Sequence, residues 1–151
     1  MESLHRAIAD FIGERSAPTV EIGDTVGRAV DIMRTEDAYC VYVQDGGKLA
    51  GVLTERDVVC RILAAGHDLG APVAEYMTRE PESLKANDDI AYAINKMAVG
   101  GYRNVPIVDD DGRLVSALSV REVVAHLAEV LSDPEVESDI NSEWLDIGGG
   151  G

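Results

Sequence analysis

The polar residues best suited to chemistry form two pairs with the same spacing. Thr54 follows an apolar segment and precedes Asp57 by three residues, and 65 positions later Ser119 and Glu122 repeat the arrangement. A hydroxyl and a carboxylate at a helix start can hydrogen-bond a sugar or phosphate, where unpaired backbone N–H groups also attract anions. The same spacing is a capping box, in which each pair only stabilises its own helix by about 1 kcal/mol. From the spacing alone, both interpretations stay open.

The apolar pattern indicates that this junction belongs to a duplicated unit. Matching positions are 64 residues apart in the first predicted helix, as in Met33 and Met97, and 65 apart around the predicted hairpin, as in Val43 and Val108. The change predicts one inserted residue near Gly100. Each unit reads as β-α-β-β-α, and neither can bury both sides of its strands alone. We therefore predict an α/β fold of two repeats packed face to face with pseudo-twofold symmetry.

Local patterns predict helix starts and core-facing side chains. Asp24 or Thr25, then Thr54, Asp88 and Ser119, are the predicted helix caps. In the last helix of each repeat, the predicted core-facing side chains are Val58, Val59, Ile62, Leu63, Val123, Val124 and Leu127. The two cysteines, Cys40 and Cys60, lie within apolar runs without a metal-ligand spacing, which predicts reduced, buried residues.

Composition shifts predict four segments. These are an N-terminal helix (1–15), a first repeat (16–70), a second repeat (71–131) and an acidic, disordered tail (132–151). The helix either covers part of the core or contacts another subunit. The tail holds six acidic residues and no basic ones, which favours disorder. Its apolar cluster at Trp144 and Leu145 leaves a partner-binding peptide as the alternative.

The overall composition argues against several classes of protein. A net charge of −15 over 151 residues disfavours nucleic acids and anionic membranes as partners. The sequence has no apolar run near the roughly 20 residues that span a bilayer, and its first residues lack a signal peptide's apolar stretch. These features predict a cytoplasmic protein. The sequence also lacks a clustered metal-binding motif, a phosphate loop and a nucleophile elbow, so we predict no enzyme activity.

The duplicated unit resembles the CBS domain, and two units in tandem resemble a Bateman module. The resemblance covers about residues 16–128 and rests on Gly51-x-x-Thr54-x-x-Asp57, the turn at 45–47 and the segment 102–108. Members of this family commonly bind AMP, ADP, ATP or S-adenosylmethionine between the repeats and act as regulatory sensors without catalysis. The resemblance implies a stand-alone sensor with no required cofactor, forming a homodimer through its helical faces. The alternative is a ligand-free dimerisation module whose acidic tail recruits a protein partner.

The resemblance also implies two ligand sites. The first would use Val52, Thr54, Arg56, Asp57, Ala38, Tyr39, Cys40, Glu82 and Ser83, and the second Ala117, Ser119, Arg121, Glu122, Arg103, Asn104, Pro18, Thr19, Ala38 and Tyr39. Family members often carry basic residues at the positions of Arg103 and Asn104, where they contact phosphates, whereas the first repeat has Ala38 and Tyr39 at these positions. The carboxylate of Glu122 is displaced by one methylene from that of the usual Asp. The resemblance therefore favours a ligand at Thr54 and Asp57, with Arg103 reaching it across the interface.

Overall fold

The computed structural model describes residues 5–132, so the predicted tail lies outside the described part except for Ser132. In chain order, the elements of the first half are α1 (Ala9–Ile12), β1 (Thr19–Glu21), α2 (Val26–Thr35), β2 (Cys40–Asp45), β3 (Lys48–Thr54) and α3 (Glu55–Asp57), which continues into a π-helical segment (Val58–Leu63). In the second half they are α4 (Val73–Tyr76), β4 (Thr78–Arg79), α5 (Ile90–Gly100), β5 (Asn104–Val108), β6 (Leu114–Ser119) and α6 (Val120–Leu131).

Two sheets organise these elements, and each is built on the hairpin of one repeat. The first has the order β1-β2-β3-β4, with β1 parallel to β2 and the other pairs antiparallel. The second is the antiparallel pair β5-β6, to which Leu84 adds a parallel bridge at Ile107, in the place that β1 takes in the first sheet. The β2-β3 turn uses Gly46 and Gly47 at φ 59° and 83°, the left-handed backbone that a two-residue hairpin turn requires. The predicted α/β fold with two repeats is confirmed.

The segment that precedes each repeat completes the hydrophobic core of the other repeat. Val73 and Met77, in and just after α4, pack into the first core with residues of α2, β2 and β3. Ile8 and Ile12, in and just before α1, pack into the second core with α5, β5 and β6. Backbone hydrogen bonds fix both crossings: the Val26 N–H donates to the carbonyl of residue 71 (2.8 Å), and the Ile8 N–H donates to that of residue 88 (2.9 Å). The N-terminal helix is therefore a core element, although it is shorter than the predicted 1–15.

The strand register corrects the predicted position of the insertion. Cys40 lies opposite Thr54 in the first hairpin, whereas Asn104 lies opposite Ser119 in the second. The strands β2 and β5 are thus 64 residues apart and the strands β3 and β6 are 65 apart. The extra residue lies in the turn of the second hairpin and not near Gly100.

This register changes which residues correspond between the repeats. Val43 corresponds to Ile107, so its predicted match with Val108 is wrong. Arg103 corresponds to Tyr39 rather than to Ala38. Their carbonyls play the same part, because each accepts the first backbone N–H of the following helix, at 2.8 Å for Arg103 and 2.9 Å for Tyr39.

Four predicted burials and one predicted cap are wrong. Val59, Leu63 and Val124 are 58%, 51% and 56% exposed, because each repeat's core accepts only the stripe that contains Val58 and Ile62 or Val123. We call the exposed apolar residues Val59, Leu63 and Val124 the outer stripe of the two repeats. Cys60, which follows Val59, is also exposed, whereas Cys40 is buried as predicted. Asp89, not Asp88, caps α5 by accepting the N–H of Ala91 at 2.9 Å. None of the helices within residues 5–132 is long and apolar enough to cross a membrane.

Because of the crossed packing, we predict that a substitution in the segment before the first repeat destabilises the core of the second repeat. Ile8→Ala should lower the free energy of unfolding by about 3 kcal/mol, because it leaves a cavity in the core of the second repeat. Urea unfolding measures the change. Glu14→Ala, an exposed position in the same segment, is the control and should change stability by about 0.5 kcal/mol or less. A loss below about 1 kcal/mol for Ile8→Ala would contradict the crossed core.

Candidate functional site

Both hydroxyl and carboxylate pairs form complete capping boxes. In the first repeat, the Asp57 N–H donates to Thr54 Oγ1 (3.1 Å) and the Thr54 N–H donates to Asp57 Oδ2 (3.0 Å). In the second, the Glu122 N–H donates to Ser119 Oγ (3.2 Å) and the Ser119 N–H donates to Glu122 Oε2 (3.3 Å). Each carboxylate therefore has one oxygen committed to its own helix and a second that remains for another partner.

An arginine binds that second oxygen in each repeat, but from different places in the chain. In the first repeat Arg61 Nη1 lies 3.5 Å from Asp57 Oδ1, one turn further along the same helix. The corresponding residue of α6 is His126, which is buried against Phe11 with ring centroids 4.7 Å apart. In the second repeat Glu122 Oε1 instead pairs with Nη1 of Arg15, which belongs to the segment between α1 and β1.

Arg15 lies in a cleft between the two repeats. Its Nη2 also donates to the Ala117 carbonyl at 3.2 Å. The cleft has a volume of about 290 Å³, and we call it the repeat-2 cleft. Its lining residues are Arg15, Ser16, Ala17, Pro18, Glu36, Asn104, Ala117, Ser119 and Glu122. The structure thus brings together five of the residues predicted for the second site: Pro18, Asn104, Ala117, Ser119 and Glu122.

A second cavity of about 280 Å³ adjoins this cleft and shares Ser16, Ala17 and Glu36 with it. It also contains Thr19, another predicted residue, together with Gln44 and apolar side chains. Two helix ends of opposite electrostatic character line the repeat-2 cleft. The wall at Ser119 is the N-terminus of α6, which favours anions, while Glu36 is the C-terminal cap of α2, where the helix dipole is negative.

The first junction is built differently around Val52. The strand β4 pairs with β3 here, so Val52 lies opposite Thr78 on one side and Tyr42 on the other. Cys40 is buried opposite Thr54, and burial raises the pKa of its thiol while the neighbouring Tyr42 hydroxyl lowers it. Burial also raises the pKa of the Tyr42 hydroxyl, whose neighbour is the weakly hydrogen-bonding Cys40 thiol. Among the three cavities described within residues 5–132, none is lined by Thr54 or Asp57.

Other predicted site residues lie elsewhere. Ala38 and Tyr39 line a cavity of about 400 Å³ on the outer helical side of the first repeat, between α2 and the π-helical segment. They do not line the repeat-2 cleft, where they were expected to complete the second site. Glu82 is paired with Lys96 at 2.9 Å, and Ser83 beside it is half-buried. The side chains of Arg56, Arg103 and Arg121 are exposed.

Four lining residues of this cleft were not predicted from the sequence, and two of them are charged: Arg15, Ser16, Ala17 and Glu36. Arg15 lies just before the predicted Pro18, and Arg79 follows 64 residues later, which is the spacing of the repeat. The spacing signals a duplicated position, but only Arg15 reaches the capping carboxylate, because Arg79 donates to the Ala74 carbonyl at 3.4 Å. Glu36 belongs to no sequence motif, because its place in the cleft depends on where α2 ends.

Comparison with known proteins identifies the fold. The model of the CBS domain matches residues 8–64 and 73–129, which together are most of the chain. The chain belongs to the CBS-domain family. The two CBS domains form a pair, so the predicted Bateman module is confirmed.

The chain is similar to proteins of several kinds. The meiotically up-regulated gene 70 protein of Schizosaccharomyces pombe is 34% identical over 77% of this chain and 16% of its own length. A CBS domain protein from Pyrobaculum aerophilum complexed with AMP has a TM-score of 0.72 at 18% identity, over 91% of this chain and 99% of its own. The cytosolic domain of the Mg²⁺ channel MgtE in complex with ATP has a TM-score of 0.62 at 30% identity, over 72% of this chain and 44% of its own. Across three of its curated relatives, the chain spans 16%, 64% and 23% of their length.

The pairing of Arg15 with Glu122 predicts a measurable coupling. In a double-mutant cycle of Arg15→Ala and Glu122→Gln, the coupling should be about 0.5–1 kcal/mol, because both side chains are partly shielded from water. Glutamine keeps an oxygen for the Ser119 N–H, so the helix cap is retained. Urea unfolding of the four proteins gives the value. The Asp31 and Arg34 pair, far more exposed, is the control and should couple by less; equal couplings would contradict a shielded contact.

Proposed function

We propose that this protein is a non-catalytic regulatory module that binds an adenosyl ligand in the repeat-2 cleft. The observation that carries the proposal is the meeting, in one cleft between two CBS domains, of a capped helix N-terminus, the carbonyl of Ala117 in β6 and a carboxylate. The AMP and ATP complexes of related CBS-pair structures support this class of ligand. S-adenosylmethionine shares the adenosine group and is the second candidate.

Different residues of the cleft suit different parts of an adenosyl ligand. The carbonyl of Ala117 can accept from the amino group of adenine, and the carboxylate of Glu122 can accept from ribose hydroxyls. The hydroxyl of Ser119 and the N-terminus of α6 suit a phosphate. Arg15 now occupies both the carbonyl and the carboxylate, so a ligand must replace its two contacts. The released guanidinium is then free to pair with a phosphate.

This placement differs from the one that the resemblance favours, at Thr54 and Asp57. Two features support the second repeat. The strand β4 covers the edge of β3 beside Val52, whereas the corresponding Ala117 carbonyl is reached by a side chain that can move. Asp57 is also held by Arg61 of its own helix, which in addition donates to the carbonyl of Tyr76 at 2.8 Å.

A ligand in this cleft would couple the two repeats. One wall comes from the second repeat, through β6 and α6, and the other from Arg15, Pro18 and the end of α2. A bound molecule that contacts both walls stabilises one relative arrangement of the repeats, which is the physical basis of a conformational signal. We propose a cytoplasmic location for such a sensor, in keeping with its adenosyl ligand.

Substituting the two helix caps separately tests the site. Ser119→Ala and Thr54→Ala should each destabilise the unliganded protein by about 1 kcal/mol, because each removes a cap. Only Ser119→Ala should weaken AMP binding, by about tenfold, since this hydroxyl lines the cleft. Calorimetric titration gives the affinities, and AMP at 100 times its Kd should stabilise the wild type by about 2.7 kcal/mol.

The matched pair makes each outcome informative. Weaker AMP binding in Thr54→Ala, with Ser119→Ala unaffected, would move the ligand to the first junction. If neither AMP, ADP, ATP nor S-adenosylmethionine binds the wild type, the ligand-free interaction module is correct instead.

We also propose a homodimer through the helical faces. The outer stripe of each repeat exposes apolar side chains, including Val59, Leu63 and Val124, together with Tyr92 and Val99 of α5. Scattered exposed apolar residues are normal, but rows on neighbouring helices of both repeats are typical of protein interfaces. A second copy of the chain presents the same rows and can cover them with twofold symmetry.

Placing a charge on this face should separate the subunits. Leu63→Glu should produce a monomer in sedimentation velocity, because a carboxylate would be buried in the interface. Leu69→Glu is the control, since Leu69 is similarly exposed but lies in the loop after the π-helical segment. A wild-type monomer, or a dimer that survives Leu63→Glu, would contradict this interface.

A further inference from the structure

We infer that the repeat-2 cleft selects adenosyl ligands with no more than one phosphate and excludes nucleoside di- and triphosphates. This inference rests on the proposed function and concerns the charge of the ligand. It follows from three features of the cleft: the number of cationic side chains that line it, the presence of Glu36 in the lining, and the volume of the cleft.

Within residues 5–132, Arg15 is the only cation that lines the cleft or the adjoining cavity. The cleft also contains two carboxylates, those of Glu36 and Glu122. The charges of the lining thus sum to −1, inside a chain whose net charge is −15. A di- or triphosphate normally needs several basic partners or a metal, and a single guanidinium matches a single phosphate.

The groups of the cleft that favour an anion are close together. Arg15 pairs with Glu122 in the first turn of α6, so its guanidinium and the N-terminus of that helix can hold the same phosphate. Glu36, another lining residue, is the C-terminal cap of α2, where its carboxylate and the negative end of the helix dipole add to one another. Each further phosphate would therefore add negative charge to a cleft that already holds this repelling carboxylate.

The adjoining cavity does not provide a better environment for a longer phosphate chain. Extension into it passes Glu36 again, because this residue lines both spaces. The remaining side chains there are polar but uncharged, as in Gln44 and Thr19, or apolar, as in Ile32 and Leu114. The volume of about 290 Å³ also lies just below the range for small-molecule sites, about 300–1,000 Å³, which suits a compact ligand.

Calorimetric titration with adenosine, AMP and ATP, at one fixed ionic strength, tests the inference. We expect wild-type protein to bind AMP at least about tenfold more tightly than ATP. The affinity for adenosine should lie closer to that for AMP than the affinity for ATP does. Glu36→Gln should reduce the preference for AMP over ATP by about fivefold, since it removes the repulsion but keeps the shape. Glu129→Gln, an exposed position in the last turns of α6, changes the net charge equally and should leave the preference unchanged.

The outcomes separate this inference from the proposed function. If ATP binds as tightly as AMP, or if Glu36→Gln and Glu129→Gln change the preference equally, the selection by Glu36 is wrong while the adenosyl site stands. If adenosine, AMP and ATP all fail to bind, the proposed function fails and this inference fails with it.

Discussion

Each repeat completes its hydrophobic core with a segment that precedes the other repeat, and this crossed packing fixes how the two sheets are arranged. Ile8 and Ile12 belong to the core of the second repeat, and Val73 and Met77 belong to that of the first. Burial of side chains of this size contributes roughly 1.5–3 kcal/mol each. Because neither repeat has a complete core without a segment from outside it, the two sheets are held in a defined arrangement. The chain from α1 into β1 is thereby drawn across the end of the second hairpin, and this brings Arg15 to Glu122.

The near-symmetry of the repeats makes their differences informative. Both helix starts have the same capping box, so capping alone cannot explain why one junction opens into a cleft. The difference lies in what surrounds it: β4 covers the edge of β3 at the first junction, and His126 replaces Arg61 at the second. Since His126 packs against Phe11, the capping carboxylate of the second repeat is left for a partner from another segment. A small change in one helix thus creates a contact that a ligand can replace.

The sequence alone predicts those features that depend on local spacing. The hydroxyl and carboxylate three residues apart predict both helix caps, and apolar periodicity predicts the duplication. The position of the inserted residue could not be predicted, because Cys40 to Val43 are all buried and an unbroken apolar strand has no alternation to fix its phase. The same limit applies to the outer stripe at Val59 and Leu63, where an apolar side chain facing a core cannot be distinguished from one facing a partner. The roles of Arg15 and Glu36 depend on contacts between distant segments, which no local motif encodes.

A ligand that occupies the repeat-2 cleft must displace Arg15 from Glu122. A crystal structure of the protein grown with AMP would show this displacement. We predict the nucleotide between Ala117, Ser119 and Glu122 on one side and Pro18 on the other, with the Arg15 guanidinium turned from the carboxylate to the phosphate. A nucleotide bound against Thr54 and Asp57, with the contact between Arg15 and Glu122 intact, would contradict the account.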